Sequence, residues 1–428
     1  MNNFRRRFFG KKAGHLTFTA LEAGTFTLTV TANTNNLTYL EYSLDNGASW
    51  TRTTNNGSTI TITTPTLQAG EKVMWRGSGN RLCDQNPHDY PSFSSTGRFN
   101  ASGSIMSLLY VDDFTSATAN SNAFRELFKN CTTMVTPPEL PATTVRENAY
   151  NSMFYGCTAL TVAPEIDATV IEYGGCQTMF ANCTSMTTSP SELKATNPLG
   201  QSYYFMFENC TSMTTSPVIK AVELKAKACY GMFKGCSSLK TVYKLLVPKI
   251  DDQTCREMFM NCTGLENVPS DMLASVTTIA ANGCYGMFSA CSSLKNTPDF
   301  DATPTGYGSC IYMFRTCTSL VTAPTKLSAT VTNACYREMF YGCTSLTEAP
   351  ELPALTLGSQ SYQQMFDGCT HLAKIKMMAT NISATNSLAN WVRNVASTGT
   401  FIKNVDATWT TTGSSGIPNN WTVQTASS

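Results

Sequence analysis

A Met-Phe pair recurs down this chain at nearly constant spacing, and that recurrence constrains the fold more than any other feature. The Phe falls at Phe128 (preceded by Leu127 instead of Met), Phe154, Phe180, Phe207, Phe233, Phe259, Phe288, Phe314, Phe340 and Phe366. Seven of the nine steps are 26 residues, and the other two are 27 and 29. A fixed period of this length marks a stack of small units, none of which can bury its apolar face without its neighbours.

With the Phe as origin, the other apolar columns line up. Four residues before it stands an aromatic or Cys, as in Phe124, Tyr150, Cys176 and Cys229; three after it stands a Cys in all ten units, from Cys131 to Cys369. Together with Met and Phe these offsets form an i, i+3, i+4, i+7 series, which predicts a short amphipathic helix. Asn or Gly two after the Phe, in eight units, predicts its left-handed stop. A Leu or Met six after the Phe, then sequences such as Leu346 to Leu352 with Pro350 inside, predict strands of two or three residues, because Pro gives no ladder donor. One short strand plus one short helix per 26 residues is a leucine-rich-repeat arrangement. Strands spaced ~4.8 Å apart against helices at ~8–10 Å would bend such a stack, with helices on the convex side.

These residues resemble a known family. The segment MFYGCTSLTEAPELPAL (339–355) and its relatives are similar to the BspA-type leucine-rich repeats of surface proteins from gut Bacteroides-group bacteria, and the flanks 103–114, 391–404 and 417–423 also resemble that family. The resemblance spans about 320 residues (103–423). It implies a binding scaffold with varied partners.

Ahead of the repeats, residues 15 to about 80 follow period-two patterning (HLTFTA, TFTLTVT, LTYLEYS, ITITT, KVMWRG), separated by turns such as Asp45-Asn46-Gly47. An antiparallel β-sandwich of immunoglobulin-like architecture is expected, with Trp50 and Trp75 in its core. The expected fold class is thus α+β, in four parts: a basic arm (1–14), a β-sandwich (15–103), a ten-repeat leucine-rich-repeat solenoid (104–380), and a C-terminal cap and tail (381–428). The cap should begin near Trp391, since an open stack needs its last face covered. Gly413 to Gly416 read as a loose extension.

Catalytic chemistry finds little support. The three histidines, His15, His88 and His371, lie in separate segments without a nucleophile or carboxylate motif beside them. The 17 cysteines include no C-x-x-C pair, so a zinc site is not expected; they are read as small buried core residues. Asp112-Asp113 and Asp251-Asp252 are read as solvated turns. No phosphate loop, cofactor motif or 18-residue apolar run occurs, so no cofactor, metal or membrane span is expected. The formal net charge of +1 gives no field for nucleic acid. Five of the positive charges nevertheless precede any acid: Arg5, Arg6, Arg7, Lys11 and Lys12.

These features predict a non-enzymatic structural and recognition protein. A surface-type repeat whose start, MNNFRRRFFGKKAGHL, lacks the apolar stretch of a secretory signal suits a bacteriophage virion, as a fibre, decoration or adhesion protein; the alternative is a bacterial cell-surface adhesin. Expected partners are other virion proteins and a host-surface glycan or protein, with a homo-oligomer possible. The strand-side positions Glu139, Glu165, Asn267, Asn296, Asp299, Glu348 and Glu351 are the ligand-contact candidates, and the basic arm is the candidate anchor.

Overall fold

The computed structural model describes residues 14–31, 36–82, 90–113 and 117–426. Strands β1 (Leu16–Ala20), β2 (Phe26–Val30), β3 (Leu37–Ser43), β4 (Thr51–Thr54), β5 (Ile60–Thr63), β6 (Lys72–Gly79), β7 (Ser92–Ser95) and β8 (Phe99–Ser102) form two facing sheets. The larger runs β8-β1-β6-β3-β4 and the smaller β5-β2-β7, all antiparallel. β1 and β2 alternate buried and half-buried residues, as a one-faced strand should. Phe18, Phe26, Phe93 and Phe99 meet between the sheets with ring centroids 4.8–5.5 Å apart. The strand order departs from an immunoglobulin sandwich, in which the first strand lies at a sheet edge; here β1 sits inside, between β8 and β6. Trp75 is fully buried, whereas Trp50 is half-buried on the outer face, beneath the Arg76 guanidinium at 4.0 Å.

The repeats are not α+β. The described residues contain one helix, α1 (Ser107–Tyr110), which precedes the repeats, and the chain is a β-solenoid of about 12 turns. Where a helix was expected, a run of overlapping β-turns stands instead. Every second N–H bonds three residues back within its own coil, as Met153 N–H does to the Tyr150 carbonyl and Cys157 N–H to the Phe154 carbonyl. The intervening N–H groups donate to the following coil: Tyr150 to Gly175, Ser152 to Gln177, Phe154 to Met179, Gly156 to Ala181. Every backbone donor and acceptor of this segment is thereby accounted for. Coils tied this way cannot stand the ~8–10 Å apart that packed helices need. The wide helix spacing expected on one side of the stack is therefore absent.

Left-handed residues recur at six before, two before and two after the Phe: Asn148, Ser152 and Gly156 in one coil, Gln253, Glu257 and Asn261 in another. The Asn/Gly position read as a helix stop is one of these three. A non-glycine residue held there costs roughly 1–2 kcal/mol, which the interlocked hydrogen bonds offset.

The Phe rings stack face to face at 5.3–5.6 Å, with interplanar angles of 2–12° from Phe128 to Phe366. Phe93 of β7 extends the stack below Phe128 (5.4 Å, 14°), and its N–H donates to the Leu127 carbonyl as the later Phe residues do to the Met of the next coil, Phe366 alone donating to Trp391 in the Met place. β10 (Met134–Thr136; β9 is Thr118–Ala119) pairs in parallel with β8, so the smaller and larger sheets both run into the first coil without a break. On the other sides of each coil pairing is short: around the predicted proline stretch it is often a single bridge, as Val162 to Thr188, and two-residue strands such as β11 (Thr144–Val145) beside β12 (Val170–Ile171) lie sixteen and seventeen after the Phe, where the sequence pattern named none.

The cysteine column adds a second donor to one carbonyl in each coil. From Cys157 to Cys369, each Sγ–H donates at 3.0–3.1 Å to the Phe carbonyl of the preceding coil, an oxygen that already accepts the N–H of that coil's own Cys. A carbonyl has two lone pairs, and both are used. Cys335 fills a third column, five before the Phe, otherwise occupied by Ala, Gly, Ser or Thr. Cys83 and His88 lie outside the described residues.

Trp391 and Val392 take the Met and Phe places of a final coil, with left-handed Asn386, Asn390 and Asn394 at the expected offsets. The turn 413–416 covers that coil instead of trailing away: Val392 N–H donates to the Ser414 carbonyl and Trp391 Nε1–H to the Gly416 carbonyl. Trp409 and Trp421 likewise donate their indole N–H groups to Ala379 and Ala396.

Two outcomes follow. Phe233→Ala, in mid-stack, should cost about 3–5 kcal/mol of stability in urea unfolding. Burial pushes the thiols of Cys183, Cys236 and Cys291 up to about 12 from 9.0. A thiol raised in the folded state stabilises fully below its unfolded pKa and loses that contribution as pH rises toward the folded one. The urea midpoint should therefore hold steady up to about pH 8 and fall increasingly above it, and thiol reagents should react only after unfolding.

Candidate functional site on the turn face

The strand-side candidates are exposed or half-exposed, but most face the next coil rather than open solvent alone. The Glu165 carboxylate accepts Ser191 N–H at 3.1 Å and Ser191 Oγ–H at 2.8 Å. Asp299 accepts the N–H and hydroxyl of Thr325 in the same manner. Asn296 grips the Val268 backbone from both sides, accepting its N–H at 3.1 Å and donating to its carbonyl at 2.8 Å. Glu348 and Glu351 pair with Lys374 (2.6 Å) and Lys376 (2.9 Å). Glu139 and Asn267 are exposed, in line with this row. Thr hydroxyls of the strand sides also donate across coils, as Thr187 does to the Thr161 carbonyl. The seven candidates therefore share one side of the solenoid, and five of them hold adjacent coils together. The arm residues Arg5, Arg6, Arg7, Lys11 and Lys12 lie outside the described residues.

His15 bonds Asp112 at 2.7 Å, which also lies 3.6 Å from Arg76, and His371 Nδ1 lies 2.6 Å from the Thr344 carbonyl oxygen. Asp251 pairs with Lys249 at 3.4 Å, and Asp252 accepts from Gln253. No group of three or more His, Cys, Asp or Glu residues suited to a metal occurs among the described residues, and no described helix is long and apolar enough to cross a membrane.

The turn face carries an arrangement that the column analysis passed over. The offsets three before, two before and one after the Phe point outward between the buried columns. In the middle coils they bear Tyr204, Phe205, Tyr230, Tyr285, Tyr312 and Tyr341, all half-buried. Tyr204 meets Tyr230 edge-on at 5.1 Å, as Tyr285 meets Tyr312. Arg256 lies over Tyr285 at 4.1 Å and over Tyr230 at 5.3 Å; Arg315 lies over Tyr341 at 4.7 Å and over Tyr312 at 5.6 Å. Burial holds the Tyr285 and Tyr312 hydroxyls above their ordinary pKa.

Beneath these cations sit carboxylates, in a module that repeats. Glu257 takes Arg256 at 3.4 Å and Lys234 of the preceding coil at 2.8 Å. Three coils on, Glu338 takes Arg337 at 3.4 Å and Arg315 of the preceding coil at 3.3 Å. In the first coil Glu126 takes Lys129 at 2.8 Å and Arg125 at 4.0 Å. In the last, Arg393 reaches Asp367 at 2.5 Å. The sequence signal is plain in retrospect: Arg-Glu-Met-Phe at 256–259 and 337–340, and Arg-Glu-Leu-Phe at 125–128. Exposure gives the polarity of the module. Glu257 and Glu338 keep 12% and 10% of their side-chain surface against 26% and 39% for Arg256 and Arg315, and Asp367 keeps 2% beneath Arg393 at 46%. Carboxylates face inward and cations outward.

Gly231 makes room for the ribbon. It occupies a left-handed position (φ 59°), and a Cβ there would collide with the Phe205 ring. Gly231→Ala should expel that ring and destabilise the protein by about 1–2 kcal/mol, read as a lowered urea midpoint. At Thr316 (φ 55°), where nine other coils, the final one included, carry Asn or Gly, Thr316→Asn should instead stabilise by up to about 1 kcal/mol in the same assay.

Among known proteins, no protein-family model matches the chain and no curated protein matches it. A solved structure to which it is similar is a leucine-rich repeat protein from Bacteroides ovatus, at 17% identity over 76% of this chain and 87% of that chain, with a TM-score of 0.26. A likeness at that score carries no argument about architecture. The coil-to-coil hydrogen bonds carry it: the chain is a β-solenoid continuous with an N-terminal pair of antiparallel sheets.

Proposed function

We propose that the protein is a non-enzymatic recognition and structural protein that meets its partner through the turn-face ribbon. The observation that carries this reading is the placement of seven cations over four enclosed carboxylates, flanked by half-buried tyrosines. Tyr and Arg dominate the energetics of protein contacts because they bring large area, hydrogen bonds and little conformational freedom to lose. Guanidinium groups already held by a carboxylate and a ring are preorganised in this sense. The strand row, by contrast, spends most of its polar groups on neighbouring coils.

The setting we propose is the surface of a bacteriophage virion, with the basic arm as anchor and the solenoid projecting outward. The likeness of the repeat to Bacteroides surface proteins favours the bacterial cell surface as a second setting, with the same contact face. Purified particles or cells displaying the protein should lose attachment when Arg256, Arg315 and Tyr285 are replaced together by Ala. Reversing the charges of Glu165, Glu348 and Glu351 should leave attachment intact. The opposite result would move the contact to the strand side. Deleting residues 1–14 should leave a folded protein that no longer joins the particle, measured by its content in purified virions.

A further inference from the structure

We infer that the partner of the ribbon is a carboxylate-bearing polypeptide segment, an inference that rests on the ribbon being the contact face. Each module pairs an enclosed carboxylate with one or two outward cations; with Glu208, a further half-buried carboxylate beside Lys234, seven cations stand against five carboxylates at these offsets, so the ribbon keeps a net positive charge although the whole chain is nearly neutral. Arg256 and Arg315 donate their Nε–H to Glu257 and Glu338, and the terminal-nitrogen edge of each guanidinium holds no hydrogen bond among the described residues. That edge matches a carboxylate in two parallel hydrogen bonds.

The rings do not offer the flat, open platform on which a sugar stacks. Guanidinium groups cover faces of Tyr230, Tyr285 and Tyr341, and neighbouring tyrosines meet at 69° and 72°. What remains available is ring edge, hydroxyl and guanidinium. The modules also fall at uneven intervals, their carboxylates standing in the coils of Phe128, Phe259, Phe340 and Phe366. A polysaccharide repeats its charge evenly, whereas a polypeptide places carboxylates wherever its sequence puts them. The uneven spacing fits the polypeptide.

The test uses the full-length protein with two probes, fluorescein-labelled oligoglutamate and polygalacturonate, read by fluorescence anisotropy and by competition. Oligoglutamate should bind, more weakly as salt rises. Arg256→Gln/Arg315→Gln/Arg337→Gln should weaken it at least about tenfold. Lys374→Gln/Lys376→Gln, on the strand row, should leave it unchanged. Because the Gln variant leaves Glu338 without its partners, Arg256→Lys/Arg315→Lys serves as a second variant; it keeps the charge, loses the fork, and should bind with intermediate strength. Preference for polygalacturonate would overturn the polypeptide assignment. Equal weakening by the strand-row variant would overturn it as non-specific attraction. If oligoglutamate does not bind while the ribbon variants still abolish attachment to particles or cells, the ribbon stands and its partner is not acidic polypeptide. If attachment also survives those variants, the ribbon reading fails with it.

Discussion

The hydrogen bond from every second backbone N–H to the following coil is the interaction on which the rest of this molecule depends. It ties neighbouring coils backbone to backbone along the turn side, where the Phe rings stack with centroids 5.3–5.6 Å apart. Everything inside the coil must then repeat at that distance. Flat rings can stack so, thiols can reach a carbonyl one coil below, and small residues fit the tight column five before the Phe. Large branched side chains in those places would push neighbouring coils beyond hydrogen-bond range.

The same constraint explains why the outer surface divides its labour. On the strand sides, Thr hydroxyls, Asn296 and the carboxylates of Glu165 and Asp299 lie one coil step from a backbone group and bond to it. On the turn side the backbone is already saturated by its two interleaved sets of bonds. Hydroxyls there still reach a carbonyl's second lone pair, as Ser289 and Thr316 do at Arg315, but the charged and aromatic side chains mostly meet one another: Arg to Glu, Arg to Tyr, Lys to Glu. Enclosed carboxylates under exposed arginines are the result. Such a pair is weak evidence for stability but holds its members in a defined geometry, which suits a contact surface better than freely moving chains would.

The two ends are finished differently. At the N-terminal end the sandwich supplies both a ring, Phe93, and a strand edge, β8, so the first coil finds the partners that every later coil finds in its predecessor. At the C-terminal end Trp391 tilts 58° away from Phe366 and ends the stack. Its indole N–H is taken by the turn that covers it. Neither end leaves a bare column of rings.

From the amino-acid order alone the repeat, its period and the Phe, Met and Cys columns were legible, because burial fixes them whatever backbone carries them; the small-residue column five before the Phe, where Cys335 stands, and the column of Val145, Ile171, Ile250 and Ile279 were not. The two-sheet N-terminal unit was legible for the same reason, from period-two burial. The backbone between the columns was not. An apolar series at −4, −1, 0 and +3 serves a helix and a chain of interlocked β-turns equally well, and three left-handed positions per coil showed only one of themselves, since Glu257, Phe205 and Thr178 do not advertise positive φ as Asn and Gly do. Nor could the order of residues say that Arg256 would lie between Tyr230 and Tyr285, each a coil away. Which groups become neighbours across coils depends on the rise and register of the stack, and only the closed set of backbone hydrogen bonds decides that.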